Sequence, residues 1–166
     1  MSTPDQMNFL GQTGFQLIID RIPTVAFFTQ AISLPAISLP EIIQSSPLGE
    51  IAHPGDRIKW NTLDITFKVD SETKNYREIY NWMVALGHPQ SLTQTATLAP
   101  SGRVKDMVSD GMLHILSGHK NVIQWVQFNR LFPISLSGLE FTTQDADVVF
   151  LNATAQFRYS FYNFIT

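Results

Sequence analysis

The chain has 166 residues, of which 44% are hydrophobic and only 15% charged, with a net charge of -3 and no cysteine. That length supports one domain, 1–166, with a full core and is too short for two comfortable ones. Disulfides, thiolate metal sites and a cysteine nucleophile are excluded outright. The acidic balance and the scatter of the eleven basic residues argue against a general affinity for DNA or RNA, which draws on Lys and Arg to neutralise phosphates.

Along the chain, Met1 to Met7 lack the basic start and apolar run of a secretory signal, so synthesis and retention in the cytosol are expected. Phe15 to Asp20 predicts a first strand and Val25 to Ile32 a second, with Arg21-Ile22-Pro23-Thr24 turning one into the other. Ile22 to Pro40 carries no charge but is not a membrane span. Pro23, Pro35 and Pro40 interrupt it, and Thr24, Thr29, Gln30, Ser33 and Ser38 dilute it.

Ser33 to Trp60, with Pro35, Pro40, Pro47, Pro54, Gly49 and Gly55, predicts an extended arm carrying short strands at Ala36 to Gln44 and around Glu50 to His53. In Thr62 to Val69 the positions Leu63, Ile65, Phe67 and Val69 are apolar and those between them polar, the alternation of a strand with one buried face. A single helix follows over about 73–86. Tyr76, Ile79, Tyr80, Met83 and Leu86 share one face, Ser71 or Thr73 supplies a cap, and Gly87 and Pro89 a stop. Trp82 lies off that stripe, placed to dock on a loop or a neighbour.

His88 to Asp110 predicts a long loop, and loops of that length usually have a job, here binding a neighbour. Met112 to Leu116 and Val122 to Phe128 form a hairpin about Ser117-Gly118-His119-Lys120-Asn121, and Gly138 to Phe141 adds a further strand. From Leu151 to Phe161 the alternation resumes in a strand longer than ten residues. The pattern is mainly β with one flanking helix.

Chemistry is not advertised. His53, His88, His114 and His119 show no i, i+4 pair and no HExxH, and Asp145 with Asp147 and Asp106 with Asp110 lie in polar loops. No GxSxG elbow, Walker loop or GxGxxG occurs, and Asn152-Ala153-Thr154 falls within a strand of a cytosolic chain. No catalytic residue, metal or cofactor is expected. The low charge points instead to an exterior covered by partner subunits, since a small monomer needs surface charge to stay dispersed. The polar rows Asp64, Thr66, Lys68 and Asn152, Thr154, Gln156, Arg158 then read either as the solvent face of an antiparallel sheet or as the lining of a ring.

The order of these elements, with Leu34-Pro35-Ala36-Ile37-Ser38-Leu39, His53-Pro54-Gly55-Asp56 before Leu63-Asp64-Ile65-Thr66-Phe67, Tyr76 to Met83, Leu131-Phe132-Pro133-Ile134 and Ala155-Gln156-Phe157-Arg158-Tyr159, resembles the tail tube proteins of contractile-tailed bacteriophages. The likeness runs from about Phe15 onward. It implies a β-sandwich or rolled antiparallel barrel with one flanking helix, and six copies per ring. It also implies rings stacked into a hollow tube through which DNA passes without specific binding.

Further implied partners are sheath and other tail or baseplate proteins, in a virion made in the host cytoplasm, with no membrane contact. Carried over, the arm is roughly Ile42 to Lys59, with Ile43, Pro47, Glu50, Ile51 and Arg57 reaching the next ring, and the seven polar positions above face the lumen. Lys68 and Arg158 depart from an acid-lined channel. The related baseplate protein that initiates the tube is an alternative of the same fold. A monomeric barrel holding a small ligand in its interior, and a hydrolase using His53 or His119 with an Asp, are alternatives of other classes.

Overall fold

The computed structural model describes residues 10–11, 14–87, 92–142 and 150–165. In chain order they form β1 (Phe15–Ile19), α1 (Pro23–Phe28), β2 (Thr29–Ser33), β3 (Ile37–Ser38), β4 (Glu41–Ser46), β5 (Gly49–Pro54), β6 (Lys59–Trp60), β7 (Leu63–Lys68), α2 (Lys74–Gly87), α3 (Leu92–Leu98), α4 (Val104–Met107), β8 (Ser109–Leu116), β9 (Val122–Leu136), β10 (Asn152–Arg158) and β11 (Phe161–Ile165). The chain is mainly β and its strand pairings are antiparallel.

One sheet of order β1-β8-β9-β10-β7-β2, with β11 also on β9, organises the molecule. β9 is its spine. Its first part lies between β8 and β11, and Phe132–Leu136 pairs with β10. The two half-sheets that share β9 enclose one apolar cluster, with Leu17, Ile19, Leu113, Val126 and Phe128 from one half and Leu63, Ile65, Phe67, Ala153, Ala155 and Phe157 from the other. Phe67, Phe128 and Phe157 are fully buried, each worth about 1.5–3 kcal/mol over exposure.

Both long strands are interrupted at the same level. In β9, Val126 and Phe128 are buried and then Leu131 and Pro133, because Arg130 at φ 57° inserts an irregularity. Alongside, Phe157 and Tyr159 are buried, then Ser160 breaks the strand and Tyr162 is the next residue packed on the core. The Ser160 N–H donates to the Asn129 carbonyl (2.9 Å), joining the two breaks. The expected continuous strand from Leu151 to Phe161 is thus two strands, while β9 continues through its irregularity as one element, past the expected Phe128 and through Pro133.

Other expectations are corrected. Val25 to Ile32 begins inside α1, since Pro23 at the first helical turn presets the backbone, and Val25 is buried. β1 and β2 do not form a hairpin but stand at opposite ends of the sheet order. Gly138 to Phe141 contains no strand, and the stretch from Leu92 to Met107 holds α3 and α4, so four helices occur among the described residues.

α2 buries Asn75, Ile79 and Trp82, while Tyr80 is exposed. Its start is organised by Asn75 rather than by Ser71 or Thr73. The Asn75 Oδ1 accepts from the Asp70 and Tyr76 N–H groups (3.2 and 2.8 Å) and its Nδ2 donates to the Lys68 carbonyl (2.7 Å). Trp82 is a core residue that also holds a neighbouring segment, its Nε1 donating to the Met107 carbonyl (3.0 Å).

Ala36 to Asn61 is a stepped hairpin. β3 and β6 pair at its root, Ile37 opposite Trp60, and β4 and β5 pair beyond it from Glu41 opposite Pro54 to Ser46 opposite Gly49. Between them the Gly55 N–H donates to the Pro40 carbonyl (2.8 Å). A Cβ at position 55 would lie 2.4 Å from that oxygen, so only glycine fits.

Candidate functional site

The alternation in β7 and β10 puts one set of side chains in the core and the other outside. The register pairs Asn152 with Lys68, Thr154 with Thr66 and Gln156 with Asp64, so six of the seven polar positions form three cross-strand pairs on one face. Arg158 continues the same row, opposite Phe132. Ser33 of β2, opposite Asp64, and Ser135 of β9, opposite Gln156, extend it. The Thr66 and Thr154 hydroxyls lie 3.5 Å apart, and the Thr154 N–H donates to Ser137 Oγ (2.9 Å). Beneath, Leu63, Ile65, Phe67, Ala153, Ala155 and Phe157 are at most 1% exposed. The result is a hydroxyl- and amide-rich sheet face over a dry core.

Three charges interrupt it. Lys68 Nζ stands 4.9 Å from the centroid of the Phe150 ring, and Arg158 is exposed. Asp64 Oδ1 is shielded from solvent and has no hydrogen-bond partner among the described residues. Asp64 and Arg158 line one cavity of about 380 Å³ with Ser33, Asn61 and Thr62.

The arm residues lie apart from this face. Ile43 and Glu50 fall on one side of the β4–β5 hairpin and Ile51 on the other, Pro47 is in the tip and Arg57 follows β5. Ile42, Ile43 and Ile51 are about half exposed and Leu48 fully. A two-stranded hairpin is marginal by itself in water, and this one carries apolar groups on both sides.

Sequence reasoning missed the aromatic cluster at the arm's foot. Trp60 meets Tyr162 edge-on at 4.9 Å, Phe128 meets Tyr159 at 5.2 Å, and Tyr162 Oη donates to the Pro35 carbonyl (3.4 Å). These rings come from distant positions, so no local spacing announces them. Tyr159 is 5% exposed and its hydroxyl has no hydrogen-bond partner among the described residues. Burial first, then Tyr162, pushes its pKa up to about 12, against the pull of Arg158.

A raised folded pKa favours the neutral phenol. Its contribution is whole below the ordinary value near 10 and is lost as pH rises toward about 12. Tyr159→Phe is therefore expected to leave neutral-pH stability unchanged or slightly raised, and to flatten the alkaline fall between those values. Urea melts across that range check it, and an unchanged alkaline limb would refute the assignment.

The remaining candidates have ordinary roles. His53 Nε2 lies 3.2 Å from Gln44 Oε1, the His114 ring stacks obliquely on Trp125, and the His119 N–H donates to Ser117 Oγ (3.3 Å). Asp106 accepts from Ser101, and Asp110 Oδ1 from the Arg130 N–H (2.9 Å). His88, Asp145 and Asp147 lie outside the described residues. No group of three or more His, Asp or Glu that could hold a metal occurs among the described residues, and no helix there is long and apolar enough to cross a membrane. Among the described residues, β1 and β2 each have a neighbour on one side only and β11 pairs with β9 alone.

No family model matches the sequence. The chain is 28% identical over 163 residues to the tail tube terminator protein of Enterobacteria phage T4, covering 93% of this chain and 88% of that one. Its structure is similar to the sheath/tube terminator of an extracellular contractile injection system, PVC, in the extended state, with a TM-score of 0.67, 13% identity and coverage of 97% and 100%. It is also similar to a chain of the anti-feeding prophage baseplate, a six-fold symmetrised assembly, with a TM-score of 0.62, 11% identity and coverage of 99% and 97%. The fold is that of tube-associated proteins of contractile injection systems. Within that fold the polar face, the strands paired on one side among the described residues and the exposed hairpin are separate surfaces.

Proposed function

We propose that this chain is a ring-forming terminator subunit at the end of a phage contractile tail tube. The observation that carries the reading is the likeness to the T4 tail tube terminator, which extends over 93% of the chain and so includes sheet, helices and arm together. In this reading six copies close a ring through their one-sided strands, which removes edges otherwise open to uncontrolled pairing. The face of Asp64, Thr66, Lys68, Asn152, Thr154, Gln156 and Arg158 lines a DNA channel. Ile43, Pro47, Glu50, Ile51 and Arg57 on the arm reach the adjoining ring, and sheath or other tail proteins cover part of the outside. The role is structural and non-catalytic.

Copy number and position test it. Quantitative mass spectrometry of virions is expected to find about one ring's worth of the chain, and gold-labelled antibody to mark the tube end away from the baseplate. Label along the whole tube would replace the terminator with a repeating tube subunit. Label at the baseplate would make it a tube initiator, a reading the baseplate likeness also accommodates. A purified chain that stays monomeric with tail tubes present would overturn assembly itself.

A further inference from the structure

We infer that Lys68 and Arg158 grip the phosphate backbone of duplex DNA, so that the ring holds DNA as well as passing it; this rests on the channel reading just proposed. The chain as a whole is acidic, with a net charge of -3. The sheet face runs the other way. Across β2, β7, β10 and residues Phe132–Leu136 the charged residues are Asp64, Lys68 and Arg158, two cations and one carboxylate.

One oxygen of that carboxylate, Asp64 Oδ1, is shut off from solvent. Among the described residues neither cation is in an ion pair. The ion pair found among the described residues is Lys74 with Glu72, away from this face. Asp70 follows the end of β7 and its Oδ1 accepts from the Ser71 hydroxyl (3.4 Å).

Geometry adds to charge. The register places Arg158 and Lys68 six residue steps apart along the paired strands, roughly 20 Å, with Thr66, Thr154, Asn152 and Gln156 between them. Cations set that far apart, with neutral hydroxyl and amide donors between them, suit contacts to well-separated phosphates, which position a duplex without reading its bases. A ring repeats the pair around the channel, and phosphate contacts add up strongly at low salt. The binding is therefore sequence-independent and salt-sensitive.

The test uses assembled rings, verified by electron microscopy, with a linear duplex and a covalently closed circle of the same sequence. The linear form is expected to bind and the circle not, because a closed circle cannot thread a preformed ring. Affinity for the linear form is expected to fall at least about tenfold between about 50 and about 200 mM salt. Lys68→Gln with Arg158→Gln is expected to keep rings and lose at least about tenfold in affinity. If that double variant does not assemble, Lys68→Gln alone serves, with a smaller loss.

Rings that ignore linear DNA, bind the circle equally well or keep full affinity without the two cations would overturn the inference and leave the assembly reading standing. Failure of the unaltered chain to form rings would overturn both.

Discussion

Trp82→Ala is expected to lower the stability of the free chain by about 3–5 kcal/mol, the range for removing a large buried aromatic side chain. Trp82 is 3% exposed and makes three kinds of contact that alanine cannot replace. Its ring packs 6.2 Å from that of Phe157. Its Nε1 donates to the Met107 carbonyl at the end of α4. The Arg21 guanidinium sits 5.4 Å over its ring, and from there donates to the Asp106 and Leu98 carbonyls (2.6 and 3.1 Å).

Burial lowers the pKa of Arg21 and Asp106 opposes the change; its bonds to two carbonyls and the indole face take the place of a paired carboxylate. Removing the indole thus opens a cavity and frees α3 and α4 together. Against a total of roughly 5–15 kcal/mol for a whole domain, such a loss is a large fraction. Urea denaturation measures it, and hydrogen exchange should quicken first in Leu92 to Met107. A loss below about 1 kcal/mol would show that the site collapses around the gap.

Replacing Ile43 to Ala52 with Asn-Gly is expected to abolish stacking of rings while leaving the body of the fold nearly as stable. The β4–β5 hairpin is almost wholly exposed, with only Ser46 partly covered, and it contributes nothing to the buried cluster. Asn-Gly suits the tight turn that must then rejoin the strands. A thermal scan should therefore move by only a few degrees, since about 1 kcal/mol corresponds to about 2–4 °C for a domain of this size.

On the ring reading, Ile42, Ile43, Leu48 and Ile51 are covered by the adjoining ring. Full burial of such a side chain yields about 1.5–3 kcal/mol, so losing most of the set in every copy should be decisive. Sedimentation and microscopy check it: shortened chains that still stack would remove the arm from assembly, and a melting point lowered by more than about 10 °C would make it part of the fold.

What could be read beforehand depended on whether a local period survived. β7 and β10 alternate cleanly because each has one face in the core and one outside, so their polar rows were legible residue by residue. That the rows adjoin was not, because Thr66 and Thr154 meet across 88 positions of sequence. α1 is not legible as a helix because an apolar run without a period fits strand or helix alike, and the deciding signal is Pro23 at its start.

The full length of β9 is hidden for a different reason. Arg130 breaks its alternation and Pro133 argues against a strand, yet Pro133 is accommodated at an irregularity in the pairing with β10. In α2 the expected stripe is largely the packed one, with Ile79 buried and Tyr76, Met83 and Leu86 against the core, while Asn75 and Trp82 widen the buried face beyond what a hydrophobic count marks.

The coincident breaks at Arg130 and Ser160 act as matched dislocations. Each advances its strand by one position, and because both advance together, inside remains inside from one half-sheet to the next. Deleting a single residue at either break would turn the remainder of that strand over, taking Leu131 and Pro133 of β9, or Tyr162 of β11, out of their places while its partner kept its old orientation. Length change here is therefore tolerated only in pairs, one residue from each strand at once.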